Sequence, residues 1–147
     1  MNSDLDLLRK MYVPHPIEGI SAELLALLPR DKDDRERVER ITQLGYPAVK
    51  PITPHLLSWL GDINWPVAGY LLPFFLSNRD NMISEIREIL CANDLIQINW
   101  VLEYLLNDPD APEIASQFRE DLTRLANQED EEEVYLVARE ILDWLGD

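Results

Sequence analysis

Residues 63–72, Ile63-Asn64-Trp65-Pro66-Val67-Ala68-Gly69-Tyr70-Leu71-Leu72, and residues 98–106, Ile98-Asn99-Trp100-Val101-Leu102-Glu103-Tyr104-Leu105-Leu106, share a tripeptide, a following tyrosine and paired apolar doublets. The doublets Val67-Ala68 with Leu71-Leu72 and Val101-Leu102 with Leu105-Leu106 return a third time as Val137-Ala138 with Ile141-Leu142. A four-residue step between apolar pairs is the period of a helical face, not the alternation of a half-buried strand. From Val67 to Val101 and from Val101 to Val137 the separations are 34 and 36 residues, the length of one helical pair per repeat. Each such hairpin buries one face against its neighbours, so several must stack and the end helices must act as caps.

Outward from these copies, ten prolines and five glycines divide the chain into helical stretches. Helices are predicted for Asp4 to Met11; for the run Ser21-Ala22-Glu23-Leu24-Leu25-Ala26-Leu27-Leu28, with Ser21 as N-cap; and from an Asp33–Glu36 capping box through Val38, Ile41 and Leu44 to a stop at Gly45. Pro14 and Pro16 separate the first two. Further helices are predicted around Val49 to Leu60, Trp65 to Leu76, Met82 to Cys91, Leu95 to Leu106, Glu113 to Ala126 and Glu131 to Leu145, with short connectors. Pro66 suits a first turn, where its missing N–H would be unpaired anyway. Of Pro47, Pro51 and Pro54 at most one fits such a place, so that helix is expected to start late, near Pro54, or with a kink. The fold class is therefore all-α: a HEAT-like stack of antiparallel hairpins, an α-solenoid. It is read as one domain, with residues 1–28 as N-terminal capping helices and 29–147 as the repeat body.

Leu28-Pro29-Arg30-Asp31-Lys32-Asp33 followed by Arg37-Val38-Glu39, then Leu44-Gly45-Tyr46-Pro47-Ala48 and Asn64-Trp65-Pro66-Val67-Ala68, resembles a bacterial family known only as a domain of unknown function, over about residues 27 to 145. Part of the same stretch, from Leu44 to Pro51 and on to Val67, resembles a HEAT-like repeat unit. The resemblance implies a HEAT-like helical fold. Some small helical families of this sort occur beside secreted toxin genes as immunity proteins, which brings that role into consideration. Ala68 and Ala138 stand where an arginine is common in HEAT repeats, so the resemblance implies no inter-repeat Asp–Arg ladder.

At 147 residues the chain has the size of one domain with a sizeable core. The formal net charge is -15, and it is unevenly placed. Residues 1–50 carry 8 Lys and Arg against 9 Asp and Glu, whereas 51–147 carry 5 against 19. A body of that sign repels nucleic acid and anionic lipid and favours encounter with basic partners at low salt. Only five basic residues beyond residue 50 also argue against the phosphate track that a DNA-lesion enzyme needs. The single cysteine, Cys91, forms no intrachain disulfide and reads as a small buried hydrophobe in a reducing compartment. No signal pattern opens the sequence and no apolar run approaches a membrane span, so a cytoplasmic location is expected.

Catalytic motifs are missing. His15 and His55 are far apart and fit no metal-ligand spacing, and there is no phosphate loop or nucleophile elbow. Catalytic residues, metal and cofactors are accordingly expected to be none, and the chain is read as a non-enzyme. Two sets of residues stand as candidate partner-binding positions. Asn64, Trp65, Asn99 and Trp100 supply repeated aromatic and amide groups, which serve packing and turn closure or, on a groove, anchor a partner. Glu129, Asp130, Glu131, Glu132 and Glu133 form the densest acid run, either a solvated loop favourable to a helix N-terminus or an acidic docking surface. The function expected is a protein-binding module, an immunity or antitoxin-like protein that neutralises a basic protein partner. A scaffolding or assembly factor is the alternative, and an enzyme or small-ligand binder using the tryptophan positions is the second.

Overall fold

Ser21 accepts a hydrogen bond from the Leu24 N–H at 3.2 Å and opens helix α1, Ala22–Leu25, as its residue type predicts. The structure, a computed structural model, describes residues 19–146. The helix expected over Asp4–Met11, the prolines 14 and 16, His15 and most of the proposed cap 1–28 lie outside the described residues. Within them the chain is all-helical and without strands.

The helices in order are α1, α2 (Arg35–Leu44), α3 (Thr53–Leu57), α4 (Pro66–Ser77), α5 (Ile83–Cys91), α6 (Leu95–Val101, wound on through Leu106 as a π-turn), α7 (Pro112–Ala115), α8 (Arg119–Ala126) and α9 (Val134–Leu145). Two compact units are formed, one from residues 19–59 and 63–74, the other from residues 60–62 and 75–146.

In the first unit the cap of α2 is Asp34, one residue later than the expected Asp33. Its carboxylate accepts from the Arg30 N–H at 2.8 Å and the Arg37 N–H at 3.2 Å, and it pairs with the Arg37 guanidinium at 2.9 Å. The Arg37 Nε reaches across to the carbonyl of Ala26, the C-cap of α1, at 3.1 Å. Val38 and Ile41 are buried, but Leu44 is 50% exposed, against expectation. Each three-residue step falls about 60° short of a full turn, so by Leu44 the face has rotated away from the core. Pro51 sits in a 3-10 turn, Lys50–Ile52, and α3 begins at Thr53, so the helix does start late. Thr53 is fully buried. Its hydroxyl is 2.7 Å from the Tyr46 hydroxyl and 3.3 Å from the Val49 carbonyl, and Tyr46 stacks on Phe74.

The second unit is built from two helical hairpins, α5 with α6 and α8 with α9. Helix α5 packs on α8, and α6 packs on α9. Arginines close each hairpin. Arg79, just before α5, donates to the Leu105 carbonyl at the end of α6 at 3.0 Å. Arg119, at the start of α8, donates to the Leu145 carbonyl at the end of α9 at 3.4 Å. Helix ends expose carbonyls with no partner inside the helix, and a guanidinium placed there satisfies them and opposes the negative end of the dipole. Arg124 does the same for Leu90 at the end of α5, and Arg139 for Ala126 at the end of α8. The clasps repeat at 40 residues, Arg79 to Arg119 and Leu105 to Leu145. That is one helical turn longer than the 36-residue step of the apolar doublets, and a face of period 3.6 tolerates such a slip.

Asp34 gives a pH dependence. Burial opposes its ionisation, but the Arg30 and Arg37 N–H donors and the Arg37 guanidinium outweigh that and hold the carboxyl below its ordinary value of 3.8. Its contribution is therefore complete above the unfolded value and is lost as pH falls through the lower folded one. The stability difference between wild type and Asp34→Asn in urea melts should be constant near neutrality and shrink below about pH 4. Arg79→Ala, which also loses Asp108 at 3.1 Å and Leu76 O at 3.3 Å, should cost about 2–3 kcal/mol, and Arg79→Lys should recover less than half, because lysine lacks the planar fork.

Candidate functional site

The expected groove residues fall in separate units and in different local structure. Ile63-Asn64-Trp65 forms the turn before α4, whereas Ile98-Asn99-Trp100 lies inside α6. The shared tripeptide therefore does not mark a shared place. Trp65 is half-buried and meets the buried Trp59 edge to face at 5.4 Å, with Asn64 exposed beside it. Trp100 is also half-buried and lies 5.7 Å from the Tyr104 ring, which is 42% exposed. In the first unit a cleft of about 420 Å³ is lined by Arg35, Glu39, Thr42, Gln43, Tyr70 and Pro73 among others, with the Arg35 guanidinium 5.3 Å above the Tyr70 ring. Neither tryptophan lines it.

The acid run divides by role. Asp130 is turned inward: it accepts from the Glu132 and Val134 N–H groups at 3.0 Å and from the Tyr135 N–H at 3.3 Å. It thus caps α9 from outside the helix, and α9 begins at Val134 instead of Glu131. Glu133 supplies the bend, with φ 58° in the left-handed region that costs a side-chain-bearing residue energy. Glu129, Glu131, Glu132 and Glu133 are exposed.

What the sequence did not single out is the use of the cations. All five basic residues after residue 50 are arginines, and each is engaged within the second unit. Arg79, Arg119, Arg124 and Arg139 hold helix ends. Arg87 donates to Asp121 at 3.1 Å and to the Gln117 carbonyl at 2.7 Å, and lies 5.1 Å from the Phe118 ring. Asp121, 8% exposed, is also bound by Arg124 at 3.3 Å. Among the described residues, Asp108 and Asp121 are paired with these arginines at salt-bridge distance. Cys91 is exposed, contrary to expectation, because it ends α5 one position round from the buried Leu90. Its sulfur is 3.7 Å from both Asp121 Oδ1 and the Arg124 guanidinium.

Among the described residues no three His, Cys, Asp or Glu side chains converge as a metal site requires, and no helix is long and apolar enough to cross a membrane. Residues 27–142 match the model of a family described as a domain of unknown function (DUF5071). No curated protein matches the chain.

Asp130 and Glu133 can be separated by stability. Asp130→Ala removes the surrogate cap and should cost about 1–2 kcal/mol. Glu133→Gly relieves the left-handed strain and should be neutral or stabilising by up to about 1 kcal/mol. Thermal melts of the two single variants check both.

Proposed function

We propose that this chain, which belongs to the DUF5071 family, is a non-enzymatic protein-binding module of the immunity or antitoxin kind. In this reading it works in the cytoplasm and neutralises a basic protein partner through an acidic helical surface. The observation that carries the reading is the engagement of every cation after residue 50. With the arginines drawn to carbonyls and to Asp108 and Asp121, the outward groups of the second unit are overwhelmingly carboxylates. Such a surface raises the association rate with a basic protein and repels phosphate backbones. The paired hairpins with their 40-residue clasp repeat support a HEAT-like arrangement, which would give the acids a preformed support.

The test uses the tagged chain on a lysate of the organism that makes it, at low and high salt, followed by an activity assay of the captured protein. One basic protein that is held at low salt, released at high salt and inhibited when bound is the expected outcome. A partner whose activity is unchanged or raised makes the chain a scaffold, and capture of no basic protein at low salt removes the reading.

A further inference from the structure

The 40-residue register of the clasps carries over to the outer surface of α6 and α9. Ile96, Trp100, Glu103 and Tyr104 of α6 correspond to Leu136, Glu140, Asp143 and Trp144 of α9. In both helices these positions lie outside the buried set, which is Ile98, Val101, Leu102, Leu105 and Leu106 in one and Val134, Ala138 and Ile141 in the other. Ile96, Tyr104 and Leu136 are 47%, 42% and 46% exposed. Trp100 and Trp144 are half-buried, and the carboxylates of Glu103 and Asp143 are at the surface. Steps of four along each helix place the apolar members in a stripe.

The two stripes adjoin. Helices α6 and α9 pack together, and Asn107, at the end of α6, is bonded to both members of the α9 stripe nearest it. It accepts from the Trp144 Nε1–H at 2.9 Å and donates to Glu140. Equivalent positions of neighbouring repeats face the same way, so the stripes form one surface with a floor of Ile, Leu, Trp and Tyr and carboxylates beside it. The sole basic residue of α6 and α9 is Arg139, whose guanidinium is held by the Ala126 carbonyl and lies 5.0 Å from the Tyr135 ring.

We propose that this face, the outer side of α6 and α9, is the docking surface for a basic amphipathic segment of the protein partner. The inference rests on the protein-binding reading and assigns it a place. Charge selects the occupant: an apolar stripe among carboxylates, whose one neighbouring cation, Arg139, is engaged by the Ala126 carbonyl and the Tyr135 ring, matches a segment with aliphatic side chains on one side and lysine or arginine along its edges. A second copy of this chain would bring like charges together, which opposes self-pairing.

The experiment titrates the full chain with a fluorescein-labelled amphipathic leucine–lysine helix, read by anisotropy at low and high salt. An oligolysine of equal charge is the control ligand. The chain should bind the amphipathic peptide more tightly than oligolysine. The combined variant Ile96→Ser, Tyr104→Ser, Leu136→Ser should weaken the amphipathic peptide about tenfold or more and leave oligolysine unchanged, while Leu44→Ser, on an exposed leucine of the first unit, changes neither. The substituted side chains are exposed, and an unchanged circular dichroism melt verifies the fold of each variant. Equal binding of both peptides, indifferent to the triple variant, overturns the face but leaves a charge-led partner in place. Binding of neither peptide at low salt overturns both readings. A concentration-dependent dimer in sedimentation that the triple variant abolishes overturns the basic segment in favour of a second copy.

Discussion

A guanidinium set against the carbonyls at a helix end is the interaction on which the second unit depends. Its hairpins are short, and short helices have a high ratio of unsatisfied end groups to internal hydrogen bonds. Apolar burial by Ile86, Leu90, Val101, Leu105, Leu122 and Ile141 brings the helices together, but it is non-directional and does not fix how far one helix slides along another. The arginine clasps do that. Arg79 on Leu105 and Arg119 on Leu145 tie the start of each hairpin to its finish, and Arg124 on Leu90 ties the second hairpin to the first. In the first unit Arg37 plays the same part, joining the N-terminus of α2 to the last carbonyl of α1.

How much of this was legible in the sequence follows from the range of each interaction. Ser21 and the late start of α3 after Pro51 were readable because caps and prolines act on their immediate neighbours. The buried faces of α4 and α6 were readable because the doublets repeat within one helix. Boundaries that depend on a left-handed residue or a competing cap were not. Asp130 reaches forward over Glu131–Glu133 and delays α9 by three residues, and the region from Glu113 to Ala126 breaks into α7, a 3-10 turn and α8. The arginine clasps, offset by 40 residues, were not readable for a physical reason: sliding an apolar pattern by one turn preserves its face, so doublets alone do not distinguish a 36-residue step from one of 40.

The candidate site was legible in part. The charge asymmetry is a property of composition and needed no structure. The division of labour among the acids did: within Glu129–Glu133, Asp130 serves the fold while its neighbours face solvent. The identical tripeptides stand in different settings, because Ile-Asn-Trp occupies a turn in one place and a helix in the other. The aromatic and aliphatic residues of α6 and α9 outside the buried set are not legible as a group, since Ile96 and Leu136, or Tyr104 and Trp144, share no sequence motif.

The arginine clasps also set what chemistry the chain offers to reagents. Every lysine, Lys10, Lys32 and Lys50, lies in the first 50 residues, so the acidic portion contains no primary amine. A clasp on helix-end carbonyls favours a planar fork over a flexible ammonium. Amine-directed labels and crosslinkers will consequently attach only to the early part of the chain, and the acidic portion will be recorded by reagents for its carboxyls and for the exposed Cys91 thiol.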